Sequence, residues 1–147
     1  MTKSRKDELT TGVLAMRRLI ALAAITALLP LGAQAYTATN RLKVAPISDS
    51  VFEVVARGGT GARDFWCAAG DYALKQGARS NARIYLAGGR QPSVSEPGRT
   101  ATRFTLSPDA AGITPIAPQL VLTVDVVGDN ISVASAREYC AVDISRG

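Results

Sequence analysis

Four arginines, Arg83, Arg90, Arg99 and Arg103, bracket one glycine- and proline-rich stretch, GGRQPSVSEPGR at 88–99. Guanidinium groups gathered in this way suit a carboxylate, a sulfated or phosphorylated glycan, or an acidic partner, through forked N–H donors and charge. Gln91 and Ser93 add neutral hydrogen-bonding groups, so Arg83, Arg90, Gln91, Ser93, Arg99 and Arg103 form the expected ligand-binding set. The plain alternative is solvated strand positions, because residues 36–147 hold ten arginines and only two lysines.

Other chemistry is thinly supplied. The chain has no histidine and two cysteines. That leaves no imidazole base or imidazole ligand, and too few thiols for a four-thiolate zinc site. No metal and no cofactor are expected. Glu53, Asp64, Asp71, Asp125 and Asp129 are the candidate carboxylates, but acid–base pairs need two carboxyls held a few ångströms apart with separated pKa values. Asp64 and Asp71 fall on the polar side of a helical pattern, Asp125 on the outward side of a strand pattern and Asp129 in a turn. No catalytic residue is assigned. The glycine-rich turn Gly58 to Asp64, beside Arg57 and Arg63, lacks both phosphate-loop spacings, and its acid at position 64 opposes a phosphate.

The compartment is written near the N-terminus. Met16-Arg17-Arg18 is followed by the uncharged run Leu19 to Leu31 and then Ala33-Gln34-Ala35. A basic region, an apolar core and an A-x-A site predict a secretory signal peptide cut before Tyr36. The apolar run is 13 residues long and contains Pro30, too short to span ~30 Å of hydrocarbon. Residues 1–35 are thus expected to be an N-terminal extension and leader, and residues 36–147 a single domain in the periplasm or medium, with no membrane association after cleavage. The leader holds five basic groups against two acids, so residues 36–147 carry 12 basic and 10 acidic residues, a net of +2. Such a weak excess argues against nucleic acid as a partner.

Export makes the cysteines readable. Cys67 and Cys140 form an even pair in an oxidising compartment, which predicts one structural disulfide. Closing a loop of that length is worth roughly 4 kcal/mol in the chain-entropy picture.

These residues need elements to position them. Arg41 to Val44 and Val51 to Arg57 read as the first two strands, after a frayed start at Tyr36 to Asn40. Phe52, Val54 and Ala56 share one face by alternation. Ala62 to Gln76 is the clearest helix, with Ala62, Phe65, Trp66, Ala69, Tyr72 and Ala73 on one stripe, Thr60 as N-cap and Gly77 as terminator. Cys67 and Leu74 lie on its flank. Ala82 to Ala87, Thr100 to Leu106 and Leu120 to Val127 are predicted strands, the last leading through Gly128-Asp129-Asn130 into a hairpin with Ile131 to Ala134. The end of the chain has two readings. Ser135 to Glu138 fits a capping box, but a helix there would be short, so a continuing or bulged strand is favoured. The sum is an α+β domain, a mostly antiparallel sheet of about five strands with one main helix, 62–76, on one face. Its long loops, 88–99 and 107–118, are the natural places for recognition.

The run Phe65-Trp66-Cys67-Ala68-Ala69 with Tyr72-Ala73, then Arg83-Ile84-Tyr85 and the GGR-x-PS segment from Gly88, resembles small exported bacterial proteins of uncharacterised role. The resemblance implies an exported one-domain protein and brings no activity, ligand or site residue. The functional expectation is an exported non-catalytic domain that binds an anionic ligand or another envelope protein. A small histidine-independent hydrolase using carboxylates or a serine is the alternative, and an inhibitor or lectin-like module presenting residues 88–99 is a third.

Overall fold

The computed structural model describes residues 34–141; the expected leader, all but Gln34 and Ala35, and residues 142–147 lie outside them. The elements run β1 (Tyr36–Thr37), β2 (Lys43–Pro46), β3 (Phe52–Val55), α1 (Ala62–Lys75), β4 (Arg83–Pro92), β5 (Thr100–Thr105), α2 (Pro108–Ala111), β6 (Asn130–Ser132) and α3 (Val133–Ala141). All strand pairs are antiparallel, in the order β1-β2-β3-β5-β4-β6. The expected α+β architecture is present, with six strands rather than about five and a second substantial helix.

Alternation decides what each strand presents to α1. Phe52 and Val54 of β3, Ile84 and Leu86 of β4 and Phe104 of β5 are buried against the helix stripe of Phe65, Trp66, Ala69, Tyr72 and Ala73. Trp66 meets Phe104 edge-on at 5.0 Å, and Phe52 and Tyr72 lie 4.7 Å apart, the tilted geometries that aromatic quadrupoles prefer. Gly77 closes α1 as expected, with its N–H bonded to Leu74 and that of Ala78 to Ala73. The N-cap is Gly61, not Thr60. Thr60 Oγ1 is engaged in its own turn, accepting the Arg57 N–H at 2.8 Å, and the Asp64 carboxylate accepts the Gly61 N–H at 2.7 Å.

Helix α3 corrects the expectation of a strand. Its N–H at Ser135 is capped by Ser132 Oγ at 3.1 Å, three residues earlier than the capping box suggests. Nine residues are marginal as an isolated helix. Packing rescues them: Val133 and Ala136 are buried, and Cys140 is bonded to Cys67 of α1 as expected from the cysteine count. The two helices approach closely at Gly70, where a β-carbon would sit 2.7 Å from Ala136 Cβ. Gly70→Ala gains helix propensity of about 1 kcal/mol, yet forces the helices apart at a buried contact, a strain of about 1–3 kcal/mol. We therefore expect G70A to unfold at lower urea than the parent and G70V lower still. A more stable G70A would mean that the contact gives way freely.

Two further expectations are corrected. Tyr36–Thr37 is an edge strand, not a frayed start. It is held because Tyr36 Oη and the Thr39 N–H both donate to Asp71, at 2.8 and 2.9 Å. Asp71 consequently is not a solvated acid; it is 8% exposed and ion-paired with Arg137 of α3. Leu120 to Val127 is not a strand either. By register, a longer β6 would lie beside the second half of β4, but β4 bulges between Leu86 and Gln91. Gly128 then turns the chain away at φ +90°, where a β-carbon would lie 2.3 Å from the Thr114 carbonyl. The segment is tied back only in places, with Val124 buried and Trp66 Nε1 donating to the Thr123 carbonyl at 2.8 Å. Leu120 and Val121 stand out in solvent.

Candidate functional site

The structure separates the arginines that the chain order groups together. Arg83 lies at the start of β4, paired with β6, where its guanidinium donates to the Asn130 carbonyl at 2.9 Å and to the Asn130 side chain. Arg103 is in mid-sheet opposite Gly88, half-buried, with its Nε partnerless among the described residues. Gln91 folds back on the bulge and donates to the Gly89 carbonyl. Only Arg90 and Arg99 reach a common region, the sheet end at which β4 finishes and β5 begins.

Ser93 has a different role. Residues 93–99 fold across the sheet face opposite α1 and are held there by Glu53, a fully buried carboxylate on β3. Ser93 Oγ and Ser95 Oγ each donate to Glu53 Oε1 at 2.6 Å, the Ser95 N–H does so at 2.7 Å, and the Val94 N–H donates to Oε2 at 3.1 Å. Burial alone pushes this carboxyl's pKa up; the donors from Ser93, Ser95 and Val94 more than offset it, and the net shift is downward. A serine beside a glutamate suggests nucleophilic chemistry only where a substrate can enter. Here the carboxylate is sealed under the loop and saturated with donors, so it acts as a latch. The other acids are also engaged or apart. Asp64 caps α1, Asp71 ties β1 to the helices, Asp129 accepts the Gln119 and Asn130 N–H groups, and Asp125 is exposed.

Antiparallel register gathers cations that sequence order leaves apart. Lys43 pairs with Val55, Val55 with Ala101, and Ala101 with Gln91. The start of β2, the end of β3, the start of β5 and the end of β4 therefore share one end of the sheet. Arg41, Lys43, Arg57 and Arg99 line a cavity of about 260 Å³ there, with Val55, Ala56 and Glu96. Glu96 is the single acid in the lining, bonded to Lys43 at 2.5 Å and lying 3.9 Å from Arg99. Arg41 adopts φ 67°, a left-handed conformation costly for a residue with a β-carbon. The turn is held by the Ala38–Leu42 and Arg41–Ala38 backbone bonds, at 2.9 and 2.8 Å.

A second cavity of about 380 Å³ adjoins it and shares Arg57; Asn40, Leu42, Gly58, Gly59, Thr60 and Asp64 complete its lining. Arg90 flanks this side. It donates to the Thr60 carbonyl at 3.2 Å, with its guanidinium carbon 4.8 Å above the Phe65 ring. The helix tip itself is unsuited to an anion, since the Asp64 carboxylate already occupies the Gly61 N–H. What the sheet end offers is a concave, mostly cationic surface. Sequence reasoning missed Arg41 and Lys43, for which no spacing signal exists, and treated Arg57 only as a neighbour of the glycine turn.

Among the described residues, no group of histidine, cysteine and acidic side chains is placed to hold a metal ion, and no helix is long and apolar enough to cross a membrane. Comparison with known proteins yields no matching family model, no matching curated protein and no matching solved structure.

Proposed function

We propose that this protein is an exported, non-catalytic domain that binds an anionic ligand at the cationic end of its sheet. One observation carries the reading: four basic side chains, Arg41, Lys43, Arg57 and Arg99, face one cavity with a single carboxylate among them. Focusing of positive potential in a concave site raises the local concentration of anions and orients their oxygens. Arginine forks add directional bonds that a diffuse surface charge lacks. Export is supported by the leader pattern and by the disulfide, a bond that persists in oxidising compartments. An intact mass of the exported protein beginning at Tyr36 would support this part of the reading, and a retained leader would sink it.

The binding claim has its own test. Arg41 and Arg57 are exposed, so an R41A/R57A variant should melt within a degree or two of the parent. Titration with inorganic sulfate, followed by amide chemical shifts, should show the parent binding about tenfold more tightly than the variant, roughly 1.4 kcal/mol. Equal affinity in the two proteins would remove the cavity as the site.

A further inference from the structure

We infer that the cationic sheet end takes a linear acidic polysaccharide, a chain of hydroxylated units bearing repeated anionic groups, rather than one small anion. The inference rests on the anion-binding reading above and deepens it. Its first support is extent. The cations are not gathered around a single point: Arg41, Lys43 and Arg99 line the first cavity, Arg57 lines both, and Arg90 stands at the Thr60 side of the second. A ligand with one charged group seated in the first cavity leaves Arg90, and the Arg57 side of the second cavity, without an anion. A polymer with spaced charges engages them in series.

The second support is the contrast between the two linings. The second cavity offers Asn40, the backbone of Gly58 and Gly59, Thr60 and the Asp64 carboxylate, with Arg57 the one cation in its lining. These are hydrogen-bonding groups suited to sugar hydroxyls, and the Asp64 oxygens accept from a hydroxyl but repel a second anionic group placed directly on them. Charge in one cavity and hydroxyl-matching groups in the next describe a polyhydroxylated polyanion.

The third support separates this ligand from a nucleic acid, which is also a linear polyanion. Single strands are held by aromatic platforms on which bases stack. Neither cavity lining contains an aromatic residue, and the nearby Phe65 is fully buried beneath Arg90. With no stacking surface, affinity comes from ion pairs and hydrogen bonds and falls as salt rises.

The experiment uses the purified protein with galacturonate oligomers of one, three and six units, inorganic sulfate, and an oligothymidylate of six phosphates. We expect the hexamer to bind at least about tenfold more tightly than the monomer through linked contacts. It should also exceed the oligothymidylate and weaken steeply between low and physiological salt. An R90Q variant, with its melting temperature checked against the parent, should lose several-fold affinity for the hexamer while keeping its affinity for sulfate. A hexamer no tighter than the monomer, with sulfate still bound, overturns the polysaccharide inference and leaves the small-anion reading standing. Tighter binding of the oligothymidylate overturns it in favour of nucleic acid. Binding of none of the probes overturns both readings together.

Discussion

Replacing Cys67 and Cys140 with alanine should lower the free energy of unfolding by roughly 4 kcal/mol, the largest effect expected of any change outside the aromatic core. The bridge joins residues 73 apart, so its removal frees most of the domain's length in the unfolded state. It also acts locally. Helix α3 is short, and the bond to α1 adds to the buried Val133 and Ala136, the Arg137–Asp71 pair and the Tyr139 contact in holding it in place. Against a usual domain stability of about 5–15 kcal/mol, such a loss is a large fraction. Urea unfolding of the parent with and without reductant, beside the double-alanine variant, measures it. The two routes should agree, and the slope against urea should steepen as the unfolded chain loses its tether. A loss below about 1 kcal/mol would show that packing at Gly70 and Ala136, with the Arg137–Asp71 pair, holds α3 without the bridge.

The second large effect is expected at Glu53. Truncation to alanine leaves two serine hydroxyls and two N–H groups beneath the 93–99 loop without their acceptor, a cost of about 2–4 kcal/mol. Glutamine costs less, because its carbonyl still accepts at the Oε1 position and its NH2 opposes only the Val94 N–H. E53A should release the loop, and trypsin should then cut after Arg99 in the folded protein, where the parent resists. The acid limb follows from the same bonds. The folded carboxyl titrates below its ordinary value of 4.5, so the unfolded chain takes up the proton first as pH falls. The latch therefore contributes in full above that value, and its contribution fades as pH drops through the lower folded value. Melting temperature plotted against pH should fall more steeply below about pH 4.5 in the parent than in E53Q. Parallel curves would mean that the loop is held by something other than Glu53, the Lys43–Glu96 pair being the next candidate.

Because the loop carries Arg99 and Glu96 into the cationic cavity, these predictions bear on binding as well as stability. An E53A protein that stays folded should lose anion affinity alongside R41A/R57A, although Glu53 lines neither of the two cavities. In the proposed reading the latch positions the loop and the arginines bind.

Much of this architecture is legible in the residues alone. The stripe through Phe65, Trp66, Ala69, Tyr72 and Ala73 specifies a helix with one buried face, and alternation at Phe52–Val54, Ile84–Leu86 and Thr102–Phe104 specifies strands that meet it. Cysteine parity sufficed for the bridge. Each of these is a local period or a count, and local periods survive without knowledge of partners. Where the outcome depends on which partner is free, the local signal fails. Leu120 to Val127 alternates, with Leu120, Leu122, Val124 and Val126 on one side and Thr123 and Asp125 on the other, yet alternation and β-propensity say nothing about whether a neighbouring strand is available to pair. The bulge in β4 and the turn at Gly128 settle the matter from outside the segment. Residues 133–141 carry both helix-capping and strand-forming features, and burial against α1 decides between them.

The candidate site belongs wholly to the tertiary level. Alternation tells which face of a sheet a side chain takes, but not which strands become neighbours or which of their ends coincide. Arginines close along the chain, Arg83 and Arg103 among them, are carried to separate places. Arg41, Lys43, Arg57 and Arg99 are brought together by the order β2-β3-β5-β4 and its antiparallel register. Glu53 shows the same division in one residue. Between Phe52 and Val54 it reads as an outward, solvated acid, and outward it does point; only the loop folding back over that face makes it the buried centre of four hydrogen bonds.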